Sequence, residues 1–125
     1  MLDKYYAIKE MYSDDIVIYK CGKFYYAYKE DAYIISYLLG YRISNNDSVG
    51  FPYVDKVVSK LKTMGIGYII YDNSVIREYG DSVNYKKYLD LALVYLDKEA
   101  IINDIVKLLY KLDIAELEKL VLTLR

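Results

Sequence analysis

The side chains best suited to contact another molecule lie on one short predicted hairpin. Gly22 and Lys23 form a Gly-X pair typical of a type II′ turn, between an apolar segment and an aromatic one. Phe24 follows the turn directly, so we expect it at the hairpin tip. Because side chains alternate along a strand, Phe24 shares one face with Tyr26 and Tyr28. A row of aromatic rings of this kind can stack on nucleobases whatever their sequence.

Three lysines flank these rings. Lys20 and Lys23 lie before and within the turn, and Lys29 follows the aromatic segment. Their ammonium groups could contact phosphates and so position a nucleic acid on the hairpin. Lysines at strand ends are also commonly only solvated, which is the alternative interpretation. The rings have an alternative role as well, as a sheet face that the C-terminal helices cover.

Candidates for catalysis are few. The chain has no histidine, and its one cysteine, Cys21, has neither an activating histidine nor a disulfide partner. The acidic pairs Asp14-Asp15 and Glu30-Asp31 suit a turn and the start of a helix, respectively. No Gly-rich phosphate loop of the Walker type occurs. We therefore expect a protein that is not an enzyme and holds no metal or cofactor.

The hairpin belongs to an ordered series of motifs. Tyr5-Tyr6-Ala7-Ile8-Lys9 precedes it, Glu30-Asp31-Ala32 opens a helix after it, and Val49-Gly50-Phe51-Pro52 follows. A helix ending at Leu61–Gly65 and a strand at Tyr68–Tyr71 come next. In order and spacing these residues resemble the N-terminal mismatch-recognition domain of the MutS family of DNA mismatch repair proteins. That domain carries a Gly-Asp-Phe-Tyr-Glu hairpin before an acidic pair and an alanine.

The resemblance implies binding to duplex DNA. In the family, the phenylalanine that matches Phe24 wedges into the minor groove and stacks on a mispaired base. Lys23 stands in place of an aspartate, and Tyr26 stands in place of a glutamate that hydrogen-bonds the mispaired base. The expected partner is therefore double-stranded DNA with a mismatch or a distortion. The candidate DNA-binding residues are Phe24, Tyr26, Lys23, Lys20, Lys29 and Gly22.

Apolar periodicity and the resemblance together predict an α/β fold, with a small mixed β-sheet flanked by helices and a helical C-terminal tail. We place the α/β domain at residues 1–80 and the tail at residues 81–125, because the pattern becomes purely helical there. The predicted helices before the tail are Leu2–Tyr12, a helix from Glu30 to Gly40, and Val54–Met64; the strands outside the hairpin are 41–44, 66–71 and 75–79. The predicted core contains Ile16 or Val17, Ile35, Leu38, Ile69 and Ile70.

Three apolar stripes run along the tail. Asp97 is either the N-cap of a second helix or an interior residue of one long helix. Asp113 and Glu116 have the spacing of a capping box, which predicts a last helix from Asp113. One small sheet is too small to cover three stripes. We therefore expect the tail both to pack on the sheet and to form a two-fold homodimer.

The charge balance limits any role in DNA binding. The formal net charge is −1 and the isoelectric point is near 5.4, so no global positive field attracts phosphates. The alternative function is a protein-interaction or oligomerisation module that keeps the fold and has lost DNA recognition. No segment has the apolar length of a signal peptide or a membrane span, so we expect no membrane contact and a cytoplasmic location.

Overall fold

The computed structural model describes residues 2–80 and 83–125 of the chain. They form two compact units that divide after Leu93, inside a continuous helix. The domain boundary expected at residues 80/81 stays a prediction. The elements in chain order are α1 (Leu2–Met11), β1 (Ile16–Cys21), β2 (Phe24–Tyr28), α2 (Glu30–Leu39), β3 (Ser48–Phe51), α3 (Asp55–Thr63), β4 (Tyr68–Tyr71), β5 (Val75–Tyr79), α4 (Tyr85–Leu109) and α5 (Ile114–Leu124).

The strands of the described residues form one mixed sheet in the order β3-β2-β1-β4-β5. Strand β1 pairs antiparallel with β2 through the hairpin and parallel with β4. Strands β3 and β5 extend the sheet on either side, each antiparallel to its neighbour. A parallel pair needs a long crossover connection, which the chain from β2 to α3 supplies. The predicted α/β fold with a mixed sheet is confirmed.

One face of the sheet carries the larger core. Alternation along β1 directs Ile16 and Ile18 to this face, where α2, α3 and the first turns of α4 pack. The fully buried members of this cluster include Ile16, Ile18, Ile34, Ile35, Leu61, Ile66 and Ala92. The predicted core is confirmed for Ile16, Val17, Ile35, Ile69 and Ile70, whereas Leu38 is only half-buried.

The opposite face of the sheet is covered at one end by α1. Tyr5 and Ile8 of this helix pack on Val17, Tyr28 and Ile69. The element that covers Tyr28 is thus α1, and the alternative interpretation, in which the C-terminal helices cover these rings, is wrong for Tyr28. The first turns of α4 instead join the core of the other face, because their apolar side chains complete the layer that α2 and α3 begin.

The short strand predicted at residues 41–44 is also wrong. Residues 41–44 have no regular structure, and the backbone turns after them: the Ser44 amide donates to the Ser48 carbonyl at 2.8 Å, and Asp47 adopts a φ of 56°. The left-handed conformation at Asp47 suits a short polar side chain. This turn leads the chain into the edge strand β3.

The tail follows its predicted local pattern. Helix α4 runs through Asp97 without interruption, so the one-helix alternative is the correct one. The capping box at the start of α5 is confirmed: the Glu116 amide donates to Asp113 Oδ1 at 2.8 Å, and the Asp113 amide donates to Glu116 Oε1 at 3.3 Å.

The second unit, Val94–Arg125, consists of the remainder of α4 and of α5. None of its described side chains is buried. Apolar residues are exposed along both helices, among them Ile101, Ile102, Ile105, Leu108, Ile114, Leu122 and Leu124. Two helices alone therefore leave most of their apolar surface in contact with solvent.

Candidate nucleic-acid interface

The turn of the β1–β2 hairpin presents Phe24 to solvent. Cys21 pairs directly with Phe24, which leaves Gly22 and Lys23 as the two central residues of the turn. Gly22 has a φ of 63°, which a type II′ turn requires at its first position and which glycine adopts without steric cost. The Phe24 side chain is 45% exposed. The predicted position of this ring, at an exposed hairpin tip, is confirmed.

The rings along β2 differ in accessibility. The Phe24 and Tyr26 centroids are 6.4 Å apart, as are those of Tyr26 and Tyr28. Tyr28 is only 3% exposed, because the Tyr5 ring packs edge-on against it at 4.9 Å. Of the three rings that share this face of β2, only Phe24 and the half-buried Tyr26 are therefore accessible from solvent.

Tyr26 lies against the neighbouring edge strand. It pairs with Gly50 of β3, where an added Cβ atom would lie 2.9 Å from Tyr26 Cε1. The space that a side chain at position 50 would need is thus taken by the tyrosine ring. A glycine on an edge strand allows this close approach.

The structure places the three candidate lysines in different surroundings. Lys23 is exposed in the turn beside Phe24, and Lys29 is exposed at the far end of β2. Lys20 points to the opposite face of β1, where its Nζ lies 3.6 Å from the Asp72 carboxylate and 5.8 Å from the Tyr25 ring centroid. Lys23 therefore lies beside the exposed ring, whereas Lys20 does not share its face.

The buried carboxylate of Asp31 organises the end of the hairpin away from its turn, here called the hairpin base. The sequence had indicated only that this residue lies at the start of a helix. Asp31 is 1% exposed, and its Oδ1 accepts from Lys9 Nζ at 2.7 Å and from the Tyr85 hydroxyl at 2.6 Å. Its Oδ2 accepts from the Tyr5 hydroxyl at 2.5 Å and from the Val17 amide at 3.0 Å. The carboxylate thus has four hydrogen-bond donors, one of them cationic.

These contacts join both hairpin strands to two helices. The Tyr5 hydroxyl lies 2.9 Å from the Val17 carbonyl of β1 and accepts from the Tyr28 amide of β2 at 3.3 Å. Burial, followed by the nearby Asp31 charge, raises the pKa of both Tyr5 and Tyr85 well above the ordinary range. Both hydroxyls therefore stay protonated at neutral pH and hold the hairpin base in place.

One sequence signal could have indicated this cluster. Asp31 lies on the same helical stripe as Ile34, Ile35 and Leu38, so a charged residue occupies a core-facing position of α2. A buried charge needs a partner. Nothing in the sequence identifies that partner as Lys9, which is distant along the chain.

Near this surface the described residues include a free thiol but no cluster of metal ligands. Among them, no group of three or more His, Cys, Asp or Glu side chains is close enough to hold a metal ion. Cys21 is a free, exposed thiol opposite Phe24. Among the described helices, none combines the length and the apolar character needed to cross a membrane.

Comparisons with known proteins give the same assignment as the hairpin. Residues 1–74 match the family model of MutS domain I. The chain is 39% identical over 70 residues to the DNA mismatch repair protein MutS of Thermosipho melanesiensis. This match covers 52% of the chain and 8% of that protein. The chain is 31% identical over 91 residues to the DNA mismatch repair protein MutS of Thermodesulfovibrio yellowstonii. This match covers 65% of the chain and 10% of that protein. The chain thus spans a small fraction of these relatives, and because the domain model covers more than half of its residues, it belongs to the MutS domain I family.

Proposed function

We propose that the chain is a non-catalytic module that binds mispaired or distorted duplex DNA through a wedge formed by Phe24. The observation that carries this proposal is the exposure of Phe24 at the tip of the hairpin. Hydrogen bonds to Tyr5 and Asp31 hold the other end of the hairpin. An apolar wedge enters where a base step is easily unstacked, and a mispaired step is unstacked at lower cost than a matched one.

The local charge of the hairpin supports contact with phosphates. Residues 16–29 contain Lys20, Lys23 and Lys29 and no acidic residue, although the whole chain carries a net charge of −1. Lys23 and Lys29 are exposed near the two ends of β2. Because these few lysines attract DNA phosphates only weakly, we expect dissociation constants in the non-specific range of roughly 10⁻⁴ to 10⁻⁶ M.

The test compares matched and singly mispaired duplexes of the same length by fluorescence anisotropy at low salt. Phe24→Ala should erase the preference for the mispaired duplex, because only the wedge distinguishes the two. Lys23→Ala should weaken both duplexes alike, since a phosphate contact carries no information about pairing. Tyr53→Ala removes another exposed ring of the same unit and serves as the matched control.

Two results would contradict the proposal. One is a wild-type chain that binds neither duplex at low salt. The other is a Phe24→Ala variant that keeps its preference for the mispaired duplex. We also propose that this module acts in the cytoplasm, as the sequence predicts.

A second function is favoured by the exposed apolar residues of Val94–Arg125. We propose that this unit pairs with the same unit of a second copy. The segment contains six acidic and five basic residues, so two copies would not repel each other strongly. A large exposed apolar surface on paired helices is typical of an interaction site. If DNA binding is absent, this oligomerisation role becomes the leading function.

A further inference from the structure

Strand pairing creates an aromatic row across the partly covered face of the sheet. Tyr26 of β2 pairs directly with Tyr19 of β1, and Tyr19 pairs directly with Tyr71 of β4. Alternation along each strand directs all three side chains to the face opposite the larger core. We call Tyr26, Tyr19 and Tyr71 the tyrosine row. It crosses three adjacent strands.

The tyrosine row lies between covered and open parts of its face. Helix α1 buries Val17 and Ile69, one step along the strands from Tyr19 and Tyr71. In the other direction lie Cys21 and Phe24, which are both exposed. The three rings of the row are half-buried. They pack against the buried cluster that contains Val17 and Ile69, and part of each ring stays exposed to a ligand.

The spacing of the rings suits bases that are not stacked on one another. The Tyr19 and Tyr71 rings are 5.3 Å apart and nearly parallel, at 24°, so they stack on each other and offer a ligand only their outer faces. Phe24 continues the surface from Tyr26 at 6.4 Å. Adjacent bases of a duplex strand are separated by about 3.4 Å, so successive rings cannot follow a stacked strand. A base between two rings needs about 3.4 Å on each side, so none fits between Tyr19 and Tyr71. An unpaired, extended strand can place its bases on the outer faces of this pair and on Tyr26.

The charge around the row favours a polyanion as the occupant. Lys23 and Lys29 lie near the ends of β2, and the hairpin carries no acidic residue. Asp72, the acidic residue that follows Tyr71, lies 3.6 Å from Lys20 and is balanced by it. Sheet surfaces with aromatic rings and flanking cations are a general means of binding single strands without sequence preference.

We propose that the tyrosine row is a binding site for unpaired nucleotides, with Tyr26, Tyr19 and Tyr71 as stacking surfaces. This site goes beyond the duplex contact of Phe24, since it requires no duplex. It would take a strand that is already single, or the unpaired bases beside an opened step. Because stacking engages the face of each base, the site accepts any base sequence.

Binding of a labelled oligothymidylate of about 12 nucleotides, which forms no duplex, tests the site by anisotropy at low salt. Tyr19→Leu and Tyr71→Leu should each weaken binding about tenfold, the effect of losing one base–aromatic stack. Tyr19→Phe and Tyr71→Phe keep the ring and should bind as the wild type does. Tyr37→Leu, a half-buried tyrosine of α2 that packs with the core on the other face, is the matched control.

A second measurement does not depend on the stability of the variants. Ring resonances of wild-type protein, labelled at the tyrosine ε carbons, should shift for Tyr19, Tyr26 and Tyr71 when the oligothymidylate is added. The Tyr37 resonance should not move. The proposal is overturned if wild type does not bind the oligothymidylate, if the leucine variants bind as wild type does, or if these three resonances stay in place. Loss of mismatch preference on Phe24→Ala tests the duplex function separately, so either function can fail alone.

Discussion

By the resemblance to the MutS family, Tyr26 stands in place of a glutamate. Its half-buried ring lies against the Gly50 backbone and adjoins Phe24, so it contributes packing and stacking surface rather than charge. A carboxylate at this position would repel phosphates. The carboxylate could still accept a hydrogen bond from a mispaired base, and a matched duplex does not offer that hydrogen bond.

We therefore predict that Tyr26→Glu weakens binding to both duplexes and increases the ratio of mispaired to matched affinity. The overall loss reflects like-charge repulsion, and the increased ratio reflects a contact available only at the mispair. Titrations with both duplexes measure the two effects, with Tyr26→Gln as the uncharged control. A ratio that stays at or below its wild-type value would show that the phenylalanine alone sets discrimination in this chain.

At the scale of elements, Asp31 and its side-chain partners Lys9, Tyr5 and Tyr85, here called the Asp31 cluster, connect the hairpin with α1, α2 and α4. The carboxylate is almost fully buried and pairs with Lys9, whose side chain is mostly covered. Removing one member of a buried, hydrogen-bonded ion pair leaves the other member without compensation. Such losses typically cost about 3–5 kcal/mol.

We predict that Asp31→Asn lowers the free energy of unfolding by roughly 3 kcal/mol, measured by urea denaturation. Glu30→Gln is the matched control, because Glu30 is the exposed neighbour in the same helical turn and should change stability little. If Asp31→Asn unfolded at the wild-type urea concentration, the cluster would have no role in holding the hairpin base.

The elements also show what could be predicted from sequence. The hairpin, the capping box at Asp113 and the exposed Phe24 follow from local patterns of two to four residues, so they were predictable. The Asp31–Lys9 pair and the Tyr19–Tyr71 contact depend on the parallel pairing of β1 with β4 and on the docking of α1. Such contacts join residues far apart in sequence, and periodicity within one segment carries no information about them.

For the whole molecule, the buried tyrosines predict how stability depends on alkaline pH. Tyr5 and Tyr85 have folded-state pKa values raised above the ordinary value near 10. Below about pH 10 both are protonated in the folded and unfolded chains, and their contribution to stability is fully present. Above it the unfolded chain loses these protons first, so stability falls as pH rises towards the folded-state pKa values.

We expect a decline of about 1.4 kcal/mol per pH unit for each of these tyrosines above pH 10. Tyr85→Phe removes one of them, so it should flatten the decline while costing roughly 1.5–3 kcal/mol at neutral pH through the lost hydrogen bond to Asp31. Urea unfolding at a series of pH values measures both effects. Tyr53→Phe, at an 80% exposed side chain, should leave the profile unchanged.

The unit Val94–Arg125 determines the expected oligomeric state. A helix pair without a buried side chain gains little from packing alone, so its apolar residues are stabilised only if another surface covers them. A two-fold pairing of copies would bring the same apolar residues together from both sides and place them in a shared core.

We predict that the chain sediments as a dimer at high micromolar concentration. Ile114→Lys combined with Leu122→Lys should yield a monomer, because each lysine places a charge where the two copies would meet. Thr123→Lys adds the same charge at an exposed polar position of α5 and is the matched control, which should remain dimeric. Circular dichroism confirms that the helices persist in each variant. A wild-type chain that sediments as a monomer over this range would exclude the homodimer, and the exposed residues of both helices would then need a different partner.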